Sequence, residues 1–174
     1  MSAPAKRGVT VRKYLAVVFA ALAVFVAVGA SSTPALVKPR VFTLLEVEGP
    51  QQPLGDFDFN QAPVGGDRFI ASNTLYRWTG KKGIRVGRDR VLFTFMTGFG
   101  ANFSHRATLL FQAQAYLPDG TIFVEGYGSL APDGPTKLEL PVVGGTRIYA
   151  NARGYVKVRD ISGGRTLLEF HVTP

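Results

Sequence analysis

Along residues 41–174 apolar side chains recur at every second position, and no long segment keeps the spacing of an amphipathic helix. The clearest stretch is "HRATLLFQAQAYL". His105, Ala107, Leu109, Phe111, Ala113 and Ala115 share one face, and Arg106, Thr108, Leu110, Gln112, Gln114 and Tyr116 the other. A period of two sends successive side chains to opposite faces of a β-strand. Turn formers punctuate the alternation. Gly49-Pro50 stops "RVFTLLEV", "TGKKG" follows "RFIASNTLYRW", and Pro118-Asp119-Gly120 ends the alternating stretch. In that last turn proline presets φ and glycine accepts the positive φ that completes the reversal. "IRVGRDRVLFTFMTGF" is one long strand or two joined at Gly87, and "TIFVEGYGSL", "TKLELPVV", "RIYANARGYVKVRD" and "TLLEFHVTP" are further strands. "QQPLGDFDFNQAPVGGD" reads as a loop, and Gly144-Gly145 as a hairpin turn.

Many short strands at regular spacing predict an all-β sandwich or a closed barrel. Glycines inside strands, at Gly126, Gly128 and Gly154, favour closure, because strongly coiled strands leave little room for a Cβ. Several strands are apolar on both faces, which a barrel accommodates with a lined interior and an outer contact patch. The expected body is therefore an eight-stranded antiparallel closed barrel spanning 41–174. In the last long strand, Asn151, Arg153 and Tyr155 share one face while Ala150, Ala152, Gly154 and Val156 share the other. If small residues line the interior, the polar set faces outward.

Ahead of the body, residues 1–30 read as a signal peptide or a membrane anchor. A basic segment ends at Lys13, an uncharged apolar run covers 15–28, and Val28-Gly29-Ala30 fits a signal-peptidase site cleaved after Ala30. The run of 14 residues is short of the roughly 20 that span a bilayer. Export with cleavage is the expectation, and an uncleaved single-pass anchor the alternative. Both place the body outside the cytoplasm, in a secreted or cell-envelope location, with 31–40 as a linker.

Composition removes several chemistries. The sequence has no cysteine, which excludes disulfides and thiolate sites, and His105 and His171 are its two histidines. No metal or cofactor is expected. Of 20 basic residues, Lys6, Arg7, Arg12 and Lys13 belong to the leader, leaving 16 against 12 acids in the body. That surplus serves solubility, and nucleic acid is not an expected partner. Asp56, Asp58 and Asp67 suggest calcium only weakly, since Phe57 and Phe59 alternate with the first two. "ANFSHR" lacks the frame of a nucleophile elbow around Ser104.

The segment "GGTRIYANARGYVKVRD" resembles the last block of the dirigent and allene oxide cyclase barrel-like proteins. Gly144, Gly145, Thr146, Tyr149, Ala152, Arg153 and Gly154 match, and Arg147 stands where the family usually has another glycine. "VGRDR" is similar to the family's Val-Gly-Arg segment, "GDRFIASNTLYRW" to the strand before it, and "LPDGTIFVEGYGSL" to the central hairpin. The resemblance covers roughly residues 41–172. It implies an eight-stranded antiparallel barrel, often trimeric, whose apolar cavity binds a lipophilic molecule and directs its coupling or cyclisation. The family's catalytic acids have no aligned counterpart in Asp56, Asp58 or Asp67.

A barrel that steers a cyclisation needs little covalent machinery. Holding one conformer supplies proximity, and a few aimed polar groups stabilise developing charge in a dry site. The expected cavity measures on the order of several hundred Å3. Glu125 is the candidate acid, mid-strand on the Phe123 and Tyr127 face, with a solvated outer-face glutamate as the alternative. Tyr76 is a candidate for orienting a carbonyl, or else part of a rim aromatic belt. Arg153 is a candidate for an oxyanion or carboxylate partner, or else a structural ion pair. Phe111, Phe123, Tyr127 and Tyr149 are the candidate ligand-binding aromatics. Three functions compete on this barrel: a cofactor-free cyclase or isomerase, a non-catalytic lipophile carrier, and a secreted interaction module.

Overall fold

The computed structural model describes residues 38–99, 105–131, 137–161 and 163–173. The leader, its Ala30 cleavage site, the apolar run 15–28 and most of the 31–40 linker lie outside these residues. Among the described residues no helix is long and apolar enough to cross a membrane.

Nine strands follow in order: β1 (Arg40–Val47), β2 (Gln51–Leu54), β3 (Arg68–Trp78), β4 (Lys82–Thr97), β5 (Ala107–Leu117), β6 (Gly120–Leu130), β7 (Lys137–Gly145), β8 (Arg153–Asp160) and β9 (Arg165–Thr173). Each long strand pairs antiparallel with the next from β3 to β9, β9 pairs with β1, and β1 pairs with β3, which closes the ring. Eight staves make the barrel, and closure leaves no long unpaired edge for another chain to extend.

The predicted loop after Gly49-Pro50 opens with the short strand β2. β1 and β2 run along the same side of β3, but Val47 faces Thr74 while Gln51 faces Ala71, a register shift of one residue. Together they form a single stave with a bulge at 48–50. Gly49 is required there, because a Cβ would stand 2.1 Å from the backbone oxygen of Ser72.

The interior is read off the alternation. Phe42 and Leu44 of β1, Leu75 of β3, Val91 and Phe95 of β4, and the Ala107–Ala115 set of β5 belong to one apolar cluster. Val124 of β6, Leu140 and Val142 of β7, Val156 of β8, and Leu168, Phe170 and Val172 of β9 complete it. On β8 the Val156 face is the inward one, while Ala150 and Gly154 of the small-residue set are exposed. Arg153 is exposed while Ala152 and Val156 are buried.

The Gly144-Gly145 hairpin requires correction. β7 runs through Gly145, where a Cβ would meet the Thr121 and Tyr149 backbone oxygens at 2.5 and 2.6 Å, so Gly145 serves close backbone approach. The reversal follows at 146–152, with a 3-10 turn at Arg147–Tyr149 and left-handed backbone at Arg147 (φ 56°) and Asn151 (φ 64°). Asn151 therefore sits in the turn and not in the strand. The turn drives Tyr149 into the end of the barrel, 6.5 Å from the Phe42 ring, and closes that end. At the opposite end Phe57, from the loop after β2, packs on Phe69 and Phe95. That loop is fastened by Gly66 donating to Phe95 O (2.7 Å) and Phe95 donating to Asp67 O (2.9 Å).

Candidate functional site

Between the Tyr149 end and the opposite mouth the side chains do not fill the barrel. A chamber of about 160 Å3 remains, walled by Val91, Phe93, Phe111, Val124, Val156 and Leu168 among others. It is smaller than the expected several hundred Å3, and Leu44, Leu75, Ile122, Val142 and Val172 occupy the interior toward Tyr149. Gly128 helps keep Phe111 in place, since a Cβ there would stand 2.8 Å from Phe111 Cε2 and from Leu138 Cδ2.

One margin of this apolar chamber is acidic. Glu46 of β1, Asp89 of β4 and Asp160 of β8 all line it, with Thr166 of β9. Asp89 is 3 % exposed, and among the described residues its Oδ1 is a buried polar atom without a hydrogen-bond partner. Asn73 of β3, also buried, accepts a hydrogen bond from the Gly49 N–H at 3.2 Å on its Oδ1. Its amide also hydrogen-bonds both Glu46 and Asp89. Since its oxygen is engaged by Gly49, the NH2 group is the end that serves the carboxyls. Asp160 accepts from Thr166 Oγ1 at 2.9 Å.

Burial raises the Glu46 carboxyl well above the usual glutamate range, and the neighbouring charge of Asp89, its hydrogen bond, and Asp160 push the same way. Burial also raises Asp89, opposed by hydrogen bonds from Glu46, from the Asn73 side chain and from two backbone N–H groups. Two carboxyls sharing a buried site favour a state in which one holds a proton. The larger number of donors around Asp89 makes it the better home for the charge, and Glu46 the better home for the proton.

A second hollow, of about 350 Å3, adjoins the chamber at Glu46, Phe93, Asp160 and Thr166. Its other walls are polar, with Glu48, Gln51, Asn73 and Arg165 among them. The carboxyl pair thus stands where an apolar chamber meets a polar vestibule. Buried acids at such a boundary can exchange protons with water on one side and with a sequestered molecule on the other.

The residues expected from the sequence are placed differently. Glu125 is exposed on the outer wall and accepts from Gln112 Nε2 at 3.1 Å, facing away from the chamber. Phe123 and Tyr127 share that outer face, Tyr127 at 65 % exposure. Tyr76 also lies on the outside of β3, under the Lys82 ammonium 3.8 Å from its ring centroid. Arg153 donates to the carbonyls of Val143 (2.8 Å) and Ala152 (2.9 Å), tying down the turn before β8. Tyr149 closes the far end, its hydroxyl pKa raised chiefly by burial and then by Asp119. Of these seven, Phe111 lines the chamber, its ring edge-on to Phe93 at 5.3 Å. Asp58 and Asp67 build turns, accepting from Asn60 N (2.9 Å) and Val64 N (2.7 Å).

Glu46 and Asp89 were missed, although a signal for each was present. Glu46 continues the phase of Phe42 and Leu44, and Asp89 that of Val91, Phe93 and Phe95. Phase with apolar neighbours flags such an acid as a candidate for the interior but does not say which face is enclosed. Glu125 is in phase with Phe123 and Tyr127, which form an outer apolar face.

No protein-family model matches the chain, and no curated protein sequence matches it. Solved structures do. Pyocyanin demethylase superposes with a TM-score of 0.59 at 22% identity, covering 77% of this chain and 100% of that one. AbnU, an exo-specific intermolecular Diels–Alderase, gives 0.59 at 13% identity over 78% of this chain and 97% of its own. A pterocarpan synthase dirigent protein gives 0.58 at 17% identity, covering 78% and 93%. The chain therefore has the barrel fold of the dirigent and allene oxide cyclase-like proteins, the fold its last sequence block resembles.

Proposed function

We propose that the barrel takes a small lipophilic molecule into its chamber and steers a cyclisation or coupling, with the Glu46–Asp89 pair as its acid–base group. The observation that carries this is Asp89, almost fully buried at the margin of an apolar hollow with a carboxylate oxygen left unpartnered. A buried acceptor without a donor costs about 1–3 kcal/mol, and a bound molecule presenting an O–H or N–H would recover it. Neutral Glu46 donates its proton to a substrate oxygen at the boundary, and anionic Asp89 stabilises the positive charge that develops beside it. Ring closure then releases a proton, which returns to the Glu46 carboxylate directly or through water in the vestibule, so the pair ends the cycle as it began with no net proton uptake. The apolar walls supply the rest by holding one folded conformer. The same fold carries a Diels–Alderase, a dirigent protein and a demethylase, so the steering role rests on the apolar walls and the carboxyl pair and not on the fold.

The same proposal places the body outside the cytoplasm, on the strength of the leader pattern, and makes it a trimer. Phe123, Tyr127 and Val143 on the outer wall supply apolar contact surface for assembly. Sedimentation of the mature protein tests this, and a monomer at micromolar concentration would refute the trimer.

The function is tested by extracting the purified protein with organic solvent and identifying the retained compounds by mass spectrometry. The compound recovered is then returned to wild-type and Asp89→Asn protein and followed by chiral chromatography. Conversion to an isomer, slowed at least tenfold in Asp89→Asn, is the expected result. Retention without conversion would make the barrel a carrier. Failure to retain any compound, together with no xenon uptake by the chamber, would remove both roles.

A further inference from the structure

Asn73 is buried on β3 beside both members of the carboxyl pair, and its orientation is set from outside the pair. The device begins at the bulge between β1 and β2. The one-residue register shift brings Gly49 against β3, so close that no other residue fits over the Ser72 carbonyl. At that distance the Gly49 N–H reaches Asn73 Oδ1, while Ser72 N–H bonds the Pro50 carbonyl at 3.1 Å and pins the other side of the bulge. An asparagine amide can turn by half a rotation at little intrinsic cost. With its oxygen engaged by a backbone donor, the turned form would face N–H against N–H and would present its oxygen to two carboxyls.

We infer that Asn73 is a positioning residue: held by Gly49 at the bulge, it directs its NH2 group at Glu46 and Asp89 and thereby decides how readily the pair gives up its proton. The inference rests on the pair acting as the acid–base group. The polar and charged groups around the pair are Asp160 from β8, Thr166 from β9, Glu48, Gln51 and Arg165 at the vestibule, and Arg85, Arg88 and Arg90 of β4, which line a hollow with Asn73 and Asp89. Among the facing side chains that line the chamber, Asp160 adds negative charge and Thr166 is spent on Asp160. Asn73 is the side-chain amide that both carboxyls share, and its loss leaves more negative charge per donor in a buried site. The bulge therefore has a chemical purpose as well as a structural one, consistent with the tendency of bulges to re-aim side chains beside active sites.

The test is carboxyl 13C NMR of the full chain labelled at Glu Cδ and Asp Cγ, with resonances assigned from Glu46→Gln and Asp89→Asn. Asn73→Ala should raise the titration midpoint of the pair by about one pH unit, the tenfold change in proton affinity that one charge-assisted hydrogen bond supplies. Gly49→Ala keeps the asparagine but displaces its anchor, and should move the midpoint the same way. Asn73→Ser restores a donor and should recover part of the shift. If either alanine variant unfolds, the other carries the test, and Asn73→Ser carries it if both do. An unmoved midpoint in a folded variant overturns the role of Asn73 while leaving the acid–base pair intact. A wild-type pair that titrates in the ordinary carboxylate range overturns the acid–base reading itself.

Discussion

Filling the chamber separates a functional hollow from a packing fault. Ala113 lies on the inward face of β5 between Phe111 and Ala115 and contributes to the chamber wall. The chamber of about 160 Å3 forgoes roughly 4 kcal/mol of packing at about 24 cal/mol per Å3. Ala113→Leu adds three buried carbons, worth about 2 kcal/mol at roughly 0.8 kcal/mol each. Fixing the leucine rotamer costs about 0.5–1 kcal/mol. The expected outcome is a protein more stable by about 1–2 kcal/mol, with Tm raised by roughly 2–8 °C for a chain of this size. Unfolding followed by circular dichroism, with guanidinium as a second route, measures the gain. The same variant should lose xenon uptake and most conversion of the retained compound, the usual trade between stability and a preorganised site. Destabilisation by about 1–3 kcal/mol, the cost of overpacking, would mean that the walls are already in contact in solution. The chamber would then not be a binding site.

Three other substitutions probe the remaining steps. Glu46→Gln removes a carboxyl whose folded-state pKa is raised by burial and by Asp89. Wild-type stability is therefore fully present below the ordinary glutamate value of 4.5 and is lost as pH rises through the folded pKa. The variant should lack that loss, matching wild type at acid pH and exceeding it at alkaline pH in denaturant titrations. A wild-type stability that does not fall above pH 4.5 would contradict the half-buried, proton-holding glutamate. Gly154→Ala should destabilise by about 2 kcal/mol or more, because φ is +132° and the new Cβ would stand 2.0 Å from the His171 carbonyl oxygen. Thermal unfolding within a degree of wild type would refute that close approach. Glu125→Gln, on the outer wall, should change conversion by less than twofold, and a tenfold loss would restore Glu125 as the acid.

The sequence by itself determined the strands, because a period of two is a local property that survives without knowledge of any partner. It determined the closed barrel through glycines that only close strand approach requires, and Gly154 is the plainest of them. It also marked the inward face of β5, where small and aliphatic residues alternate with glutamines. It did not determine which face of β6 was inside. Ile122 and Val124 stand on one face and Phe123 and Tyr127 on the other, and both sets are apolar. Alternation sorts residues into two faces but does not say which is enclosed. That choice was made when β1 closed against β3, and it sent Glu125 to the surface and Asp89 to the interior. The assembly of Glu46, Asn73, Asp89 and Asp160 from four separate strands followed from register, and the orientation of Asn73 from a bulge one residue long. Pairing across the barrel sets such distances, and no local pattern in a chain carries them.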